Sequence, residues 1–119
     1  MSEARGKVTG VGVGPELTAF QQNILAILTE EAMYGLAIKR ELEEYYDTEV
    51  NHGRLYPNLD DLVEMGLVEK SELDKRTNQY ALTDDGVDAV AERVEWVASK
   101  FVTDDDRADR LAEIVESHR

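Results

Sequence analysis

The stretch that decides the fold runs from residue 51 to residue 68: Asn51-His52-Gly53-Arg54-Leu55-Tyr56-Pro57-Asn58-Leu59-Asp60-Asp61-Leu62-Val63-Glu64-Met65-Gly66-Leu67-Val68. Leu55, Leu59, Leu62 and Val63 recur at helical spacing, which predicts a helix buried along one side. Asn51 or His52 is placed to cap its start, and Gly66 is a suitable residue just past its end. Pro57 falls inside this helix, where it removes one backbone hydrogen bond and crowds the carbonyl of Gly53. The face opposite the leucines carries Gly53, Arg54, Pro57, Asp60, Asp61 and Glu64, with Tyr56 at its edge. Its N-terminal half is small and basic and its C-terminal half is acidic.

On the N-terminal side, Leu17, Phe20, Ile24, Ile27 and Leu28 predict a helix that begins after Pro15 and closes near Glu31. A second helix is expected from about Tyr34 to Asp47, with Ile38, Leu42, Tyr45 and Tyr46 on one face. The link Glu31-Ala32-Met33 is short enough to read as a tight corner. On the C-terminal side, 67–70 and 79–82 read as strands flanking a polar hairpin tip, Asp74-Lys75-Arg76-Thr77-Asn78. Thr83-Asp84-Asp85 then caps a helix bearing Val87, Val90, Ala91, Val94, Ala98 and Phe101 in one stripe. Thr103 before Asp104-Asp105-Asp106 is expected to cap a last helix, with Ala108, Leu111, Ala112 and Val115 on one side. Residues 1–14, with Gly6, Gly10, Gly12 and Gly14, read as a flexible tail. Gly10-Val11-Gly12-Val13-Gly14 lacks the Lys-Ser/Thr that a phosphate loop requires.

Three helices, a hairpin and then long amphipathic helices form the order of a winged helix-turn-helix domain (15–82) followed by C-terminal dimerisation helices (83–119). The fold class is mainly α with a small β-hairpin wing. The apolar stripe of the C-terminal helices has little left within the chain to cover it, so a second copy is the simplest partner. Val87, Val90, Val94, Trp96, Val97, Phe101, Leu111 and Val115 are the expected dimer interface. Trp96 lies off the main stripe, where it either packs in that interface or lines a ligand pocket at the subunit junction.

A helix presented N-terminus first to a major groove would bring Asn51, His52, Gly53, Arg54, Tyr56 and Asn58 to DNA. Arg54 has the fork needed to hold guanine O6 and N7 together, and a surface pair with a carboxylate is its plainer alternative. Lys75, Arg76, Thr77, Asn78 and Gln79 offer two cations and three neutral hydrogen-bonding side chains for a wing lying along phosphates or in a minor groove. Lys39 and Arg40 are candidate phosphate contacts, although Glu43 and Glu44 four residues on favour intrahelical pairs.

Against this stands the charge. The 119 residues hold 26 Asp+Glu and 13 Lys+Arg, a net charge of −13, whereas DNA affinity rests largely on cations. The acid is unevenly spread: residues 1–50 sum to −5, 51–82 to −2 and 83–119 to −6. A very salty cytoplasm explains the acidity otherwise, and only five of the 13 basic residues are Lys. Cations from such a medium would bridge or neutralise carboxylates brought to DNA, so affinity should fall less with salt than usual, or rise. No cofactor is expected. The absence of cysteine removes disulfides, thiolate zinc and iron–sulfur sites. His52 and His118 are too separated to suggest a metal site, and no catalytic constellation is recognisable. No apolar run approaches a membrane span and no secretory leader is visible, so a soluble cytoplasmic protein is expected.

Ile24-Leu25-Ala26-Ile27-Leu28 with Tyr34-Gly35, Gly53-Arg54-Leu55-Tyr56-Pro57-Asn58-Leu59, Gly66-Leu67-Val68 and Tyr80-Ala81-Leu82-Thr83-Asp84-Asp85-Gly86 together resemble the PadR-like family of winged-helix transcriptional regulators. The resemblance covers roughly residues 20–90. It implies a homodimer joined by its C-terminal helices on double-stranded, pseudo-palindromic operator DNA, usually as a repressor; the sequence identifies no small-molecule effector. The acidity suggests a member from a salt-loving archaeon, with stress-response genes as candidate targets. Two residues depart from the family pattern: Arg54 stands where Thr is usual, and Lys75-Arg76 replaces a longer basic run. A protein-binding winged helix, scaffolding a larger complex, is the alternative reading.

Overall fold

A computed structural model describes residues 16–119 except Lys75. The expected tail at 1–14 and the Lys75 contact lie outside the described residues. Helix α1 (Ala19–Glu30) starts at Thr18, whose side chain accepts from the Gln21 N–H while the Gln21 side chain accepts from the Thr18 N–H. This reciprocal cap satisfies two donors that the first turn leaves without helical partners. Met33–Tyr34 form a short strand, β1, and α2 follows at once as Gly35–Tyr46.

The turn from α2 to α3 (His52–Glu64) is built around Glu43. Asp47 is left-handed, with φ +57°, and Thr48 N–H returns to the Glu43 carbonyl. The Glu43 carboxylate accepts from the Val50 N–H at 3.0 Å and from Lys39 Nζ at 2.7 Å. Asn51 caps α3 by accepting from the Arg54 N–H. At its far end, the Leu67 N–H reaches the Leu62 carbonyl and the Gly66 N–H reaches that of Val63, with Gly66 at φ +81°. That reverse turn needs a left-handed residue, which glycine supplies without strain.

The wing consists of β2 (Val68–Asp74) and β3 (Thr77–Leu82), paired antiparallel with Val68 opposite Leu82 and a register shift between Glu72 and Asp74. Strand β1 joins the other edge of β3, Met33 opposite Tyr80, so the sheet order is β1-β3-β2. The tight corner expected at 31–33 is therefore partly sheet, because Met33 is buried and its backbone finds partners on β3. The hairpin tip is also shorter than expected. Asp74 belongs to β2, and Thr77 and Asn78 extend the strand expected at 79–82, since the ladder continues outward to the Asp74–Thr77 pair.

Ile24, Leu25, Ile38, Leu42, Leu55, Leu59, Leu62, Leu67, Val68 and Tyr80 meet in one core between the three helices and the sheet. Tyr45, expected on the buried face of α2, is exposed, and only Tyr46 packs against the core.

Helix α4 (Asp84–Phe101) starts at Thr83, which accepts from the Gly86 N–H and donates to the Gly66 carbonyl. It packs along α1 and buries Gly86, Ala89 and part of Val90, with Gly86 set against Leu67 and Leu82. Val90, expected between two copies, therefore packs against its own domain. Asp104, not Thr103, caps α5 (Asp105–Ser117) by accepting from the Arg107 N–H. The Thr103 N–H instead donates to the Phe101 carbonyl, and a guanidinium N–H of Arg107 reaches the same oxygen. No residue of α5 is buried.

Candidate nucleic-acid interface

Residues 51–54 form the exposed opening of α3. Asn51 spends its carbonyl oxygen on the cap, leaving its amide NH2 outward. His52 stacks on Tyr56 one turn later, ring centroids 5.6 Å apart and planes within 3°. Gly53 has open space around it, with only the Asn51 oxygen within 3.5 Å of where a Cβ would stand. Arg54 does not take the surface ion pair that was its plainer alternative. Its guanidinium carbon lies 4.0 Å from the centroid of the Phe20 ring. No carboxylate among the described residues pairs with it.

Asn58 is turned inward rather than out. Its Oδ1 accepts from Gln21 Nε2 at 3.1 Å and its Nδ2 donates to the Arg54 carbonyl at 2.8 Å. Asn58 thus braces α3 against α1, using most of the groups that base contact would need.

The wing stands on the other side of α3. Tyr34, Gly35, Leu36, Tyr56, Arg76, Thr77, Asn78 and Tyr80 line a groove of about 310 Å³ between α3, the start of α2 and β3. Gly35 leaves room for the Tyr56 ring: a Cβ would stand 2.6 Å from the Tyr56 hydroxyl. Burial pushes the Tyr80 hydroxyl up in pKa, with the Asp60 charge adding to it, so it is a neutral hydrogen-bonding group near the groove floor. At the wing tip the Arg76 and Thr77 backbone and the Thr77 hydroxyl hold the Asp74 carboxylate below its usual range. That bond fixes the turn carrying Arg76, whose guanidinium has no carboxylate partner among the described residues. Gln79 lies opposite Tyr34 and Ser71 within the sheet. Its position is half-buried, away from the tip.

Of the other cations, Lys39 is held by Glu43 and Lys70 lies 3.8 Å from Asp60. Arg40 is exposed. The exposed opening of α3 and the wing thus offer Arg54 and Arg76 as free charges, and Asp60, Asp61 and Glu64 emerge further along α3. Sequence spacing did not reveal Phe20 and Gln21 as supports of this surface. The spacing Thr18-x-x-Gln21 is a local signal for the cap alone, and the second bond of Gln21, to Asn58, depends on how α1 crosses α3.

A three-helix core, a recognition-type helix and an antiparallel wing define a winged helix-turn-helix protein. The chain belongs to the transcriptional regulator PadR-like family, whose model matches residues 24–92. It is similar to RosR of H. salinarum. In the complex hsRosR-S4 the identity is 67%, over 92% of this chain and 95% of that one, with a TM-score of 0.89. In the H. salinarum RosR structure grown from NaBr the identity is 72%, over 86% and 93%, with a TM-score of 0.84. PadR of Bacillus subtilis, in complex with operator DNA, shares the fold at 20% identity and a TM-score of 0.55, over 66% of this chain and 46% of that one. No curated protein sequence matches the chain. No helix among the described residues is long and apolar enough to cross a membrane.

Proposed function

We propose that the chain is a sequence-specific, DNA-binding transcriptional regulator of the cytoplasm that acts as a homodimer in high salt. The observation that carries this reading is the pair of unpaired guanidiniums, Arg54 on the opening of α3 and Arg76 at the wing tip, on a chain of net charge −13. Both lie in the least acidic stretch of the chain, residues 51–82 with a net charge of −2, one on α3 and one on the wing beside it. Arg54 reads a guanine edge, the open backbone at Gly53 allows close approach, and Arg76, Thr77 and Asn78 follow the phosphates. His52 and Tyr56 stack into a flat face on α3, and Tyr56 lines the groove with Arg76.

The dimer is carried by α4 and α5. Val94 (61% exposed), Trp96 (55%), Val115 (51%), Val87 (47%), Val97 and Ile114 form apolar surface that one copy leaves uncovered. Phe101, the last residue of α4, and Leu111, midway along α5, are half-buried. Trp96 also has Arg93 and Lys100 within 5.7 Å of its ring. No cofactor or catalytic role is part of this reading, and cations of the medium neutralise the carboxylates of α3 at the DNA.

Anisotropy titrations with fragments of the source genome in molar KCl test it. A subset of fragments should bind far more tightly than the rest. Uniformly absent binding, with the fold intact, would instead support a protein-binding scaffold.

A further inference from the structure

The opening turn of α3 is gripped by two consecutive residues of α1, neither of them on the surface assigned to DNA. Phe20 is 4% exposed, and the Arg54 guanidinium lies over its ring at 4.0 Å. The ring is held in turn by Tyr46, stacked at 6.2 Å and 14°, whose hydroxyl accepts from Asn23 at 2.8 Å. Gln21, 7% exposed, ties Thr18 to Asn58, and Asn58 donates to the carbonyl of Arg54 itself.

A guanidinium laid on an aromatic face turns its flat, weakly hydrated side to carbon and keeps its N–H donors at the rim. Those donors have no partner among the described residues. An arginine on an open helix would spread over many rotamers and lose that freedom on reaching a base. A seat on the Phe20 ring restricts that freedom before DNA arrives.

We infer that Phe20 is a positioning residue for base recognition: its ring pre-orients the Arg54 guanidinium, while the Gln21–Asn58 brace fixes the turn that carries it. The inference rests on the reading of Arg54 as the base-contacting side chain. A solvent-exposed cation–π contact corresponds to about a twofold to fivefold effect.

The test is a double-mutant cycle. A duplex is selected from a randomised library by the wild-type protein in molar KCl. Discrimination is its affinity relative to the same duplex with the contacted guanine replaced. Phe20→Leu should lower discrimination about twofold to fivefold, and Phe20→Tyr, which keeps the ring, should restore it. In an Arg54→Ala background Phe20→Leu should change nothing further. Thermal unfolding checks each fold, and Phe20→Met, filling the space without a π face, replaces Leu if Leu impairs folding. An equal loss in both backgrounds, or no loss beside an intact Arg54, makes Phe20 a core residue only and overturns the inference. Unchanged discrimination in Arg54→Ala alone refutes the reading of Arg54 and the inference with it.

Discussion

Replacing Gly86 with alanine should uncouple the C-terminal helices from the DNA-binding domain. Gly86 lies in the first turn of α4, where alanine normally stabilises a helix over glycine by about 1 kcal/mol. A Cβ at this site would stand 2.2 Å from the Leu67 carbonyl oxygen and 2.9 Å from Leu82 Cδ2. Ordinary contact begins near 3.4 Å, so about 1.2 Å of clearance is missing at the carbonyl. That oxygen has no room to retreat. Leu67 is fully buried, its N–H is tied to Leu62 and its carbonyl accepts from the Thr83 N–H at 3.1 Å. Relief therefore requires α4 to lift, which strains or breaks the Thr83 cap, itself worth about 1 kcal/mol. Overpacking at a rigid site adds about 1–3 kcal/mol. Set against the helix gain, the net loss should be about 2 kcal/mol, a fall of roughly 8 °C in Tm. Thermal unfolding followed by circular dichroism at fixed protein and KCl concentrations measures it. A Gly86→Ala protein melting at or above wild type would refute the packing argument.

Four further outcomes are expected. Gly35→Ala meets the mobile end of a side chain rather than backbone, so Tyr56 should swing off His52. DNA affinity should then fall while Tm moves by less than the Gly86 variant, as paired anisotropy and melting experiments would show. Glu43→Gln tests the turn before α3: Lys39 and the Val50 N–H hold the Glu43 carboxylate below its usual pKa. The wild-type advantage over the variant should therefore be full above the ordinary carboxylate pKa of about 4.3. It should vanish as acid titration passes the lowered folded value; an advantage that persists at the acid end would contradict the linkage. Val94→Glu combined with Val115→Glu places charge on apolar surface of both α4 and α5, and sedimentation equilibrium should show a monomer in place of a dimer. Finally, log Kobs for the selected duplex should be flat or rising with log[KCl] in the molar range, and a steep negative slope would count against carboxylates screened by cations.

The helices were legible because their apolar residues repeat at helical spacing and their caps are local: Asn51, Thr83 and Gly66 sit where the pattern places them. Strand β1 was not legible. Two residues carry no period, and Met33–Tyr34 become a strand only because β3 lies beside them. The outer wing was illegible for a related reason, since Asp74, Thr77 and Asn78 are polar like a loop but are paired across the ladder. Arg54 was visible as a candidate from its place on α3, whereas its seat on Phe20 depends on two helices 34 residues apart meeting at one turn. Asn58 shows the same limit: its place on α3 makes it a candidate, while its bond to the buried amide of Gln21 is set by how α1 crosses α3.

Guanine N7 methylation protection on the selected duplex, in molar KCl, tests the central claim most directly. A pair of α3 helices reading through Arg54 should protect guanines in two major-groove patches about one helical turn, ~34–36 Å, apart. Arg54→Ala should lose protection in both patches at once, with a specific affinity lower by about 1–3 kcal/mol. Protection that survives Arg54→Ala, or bound DNA with no protected guanine, would contradict the account.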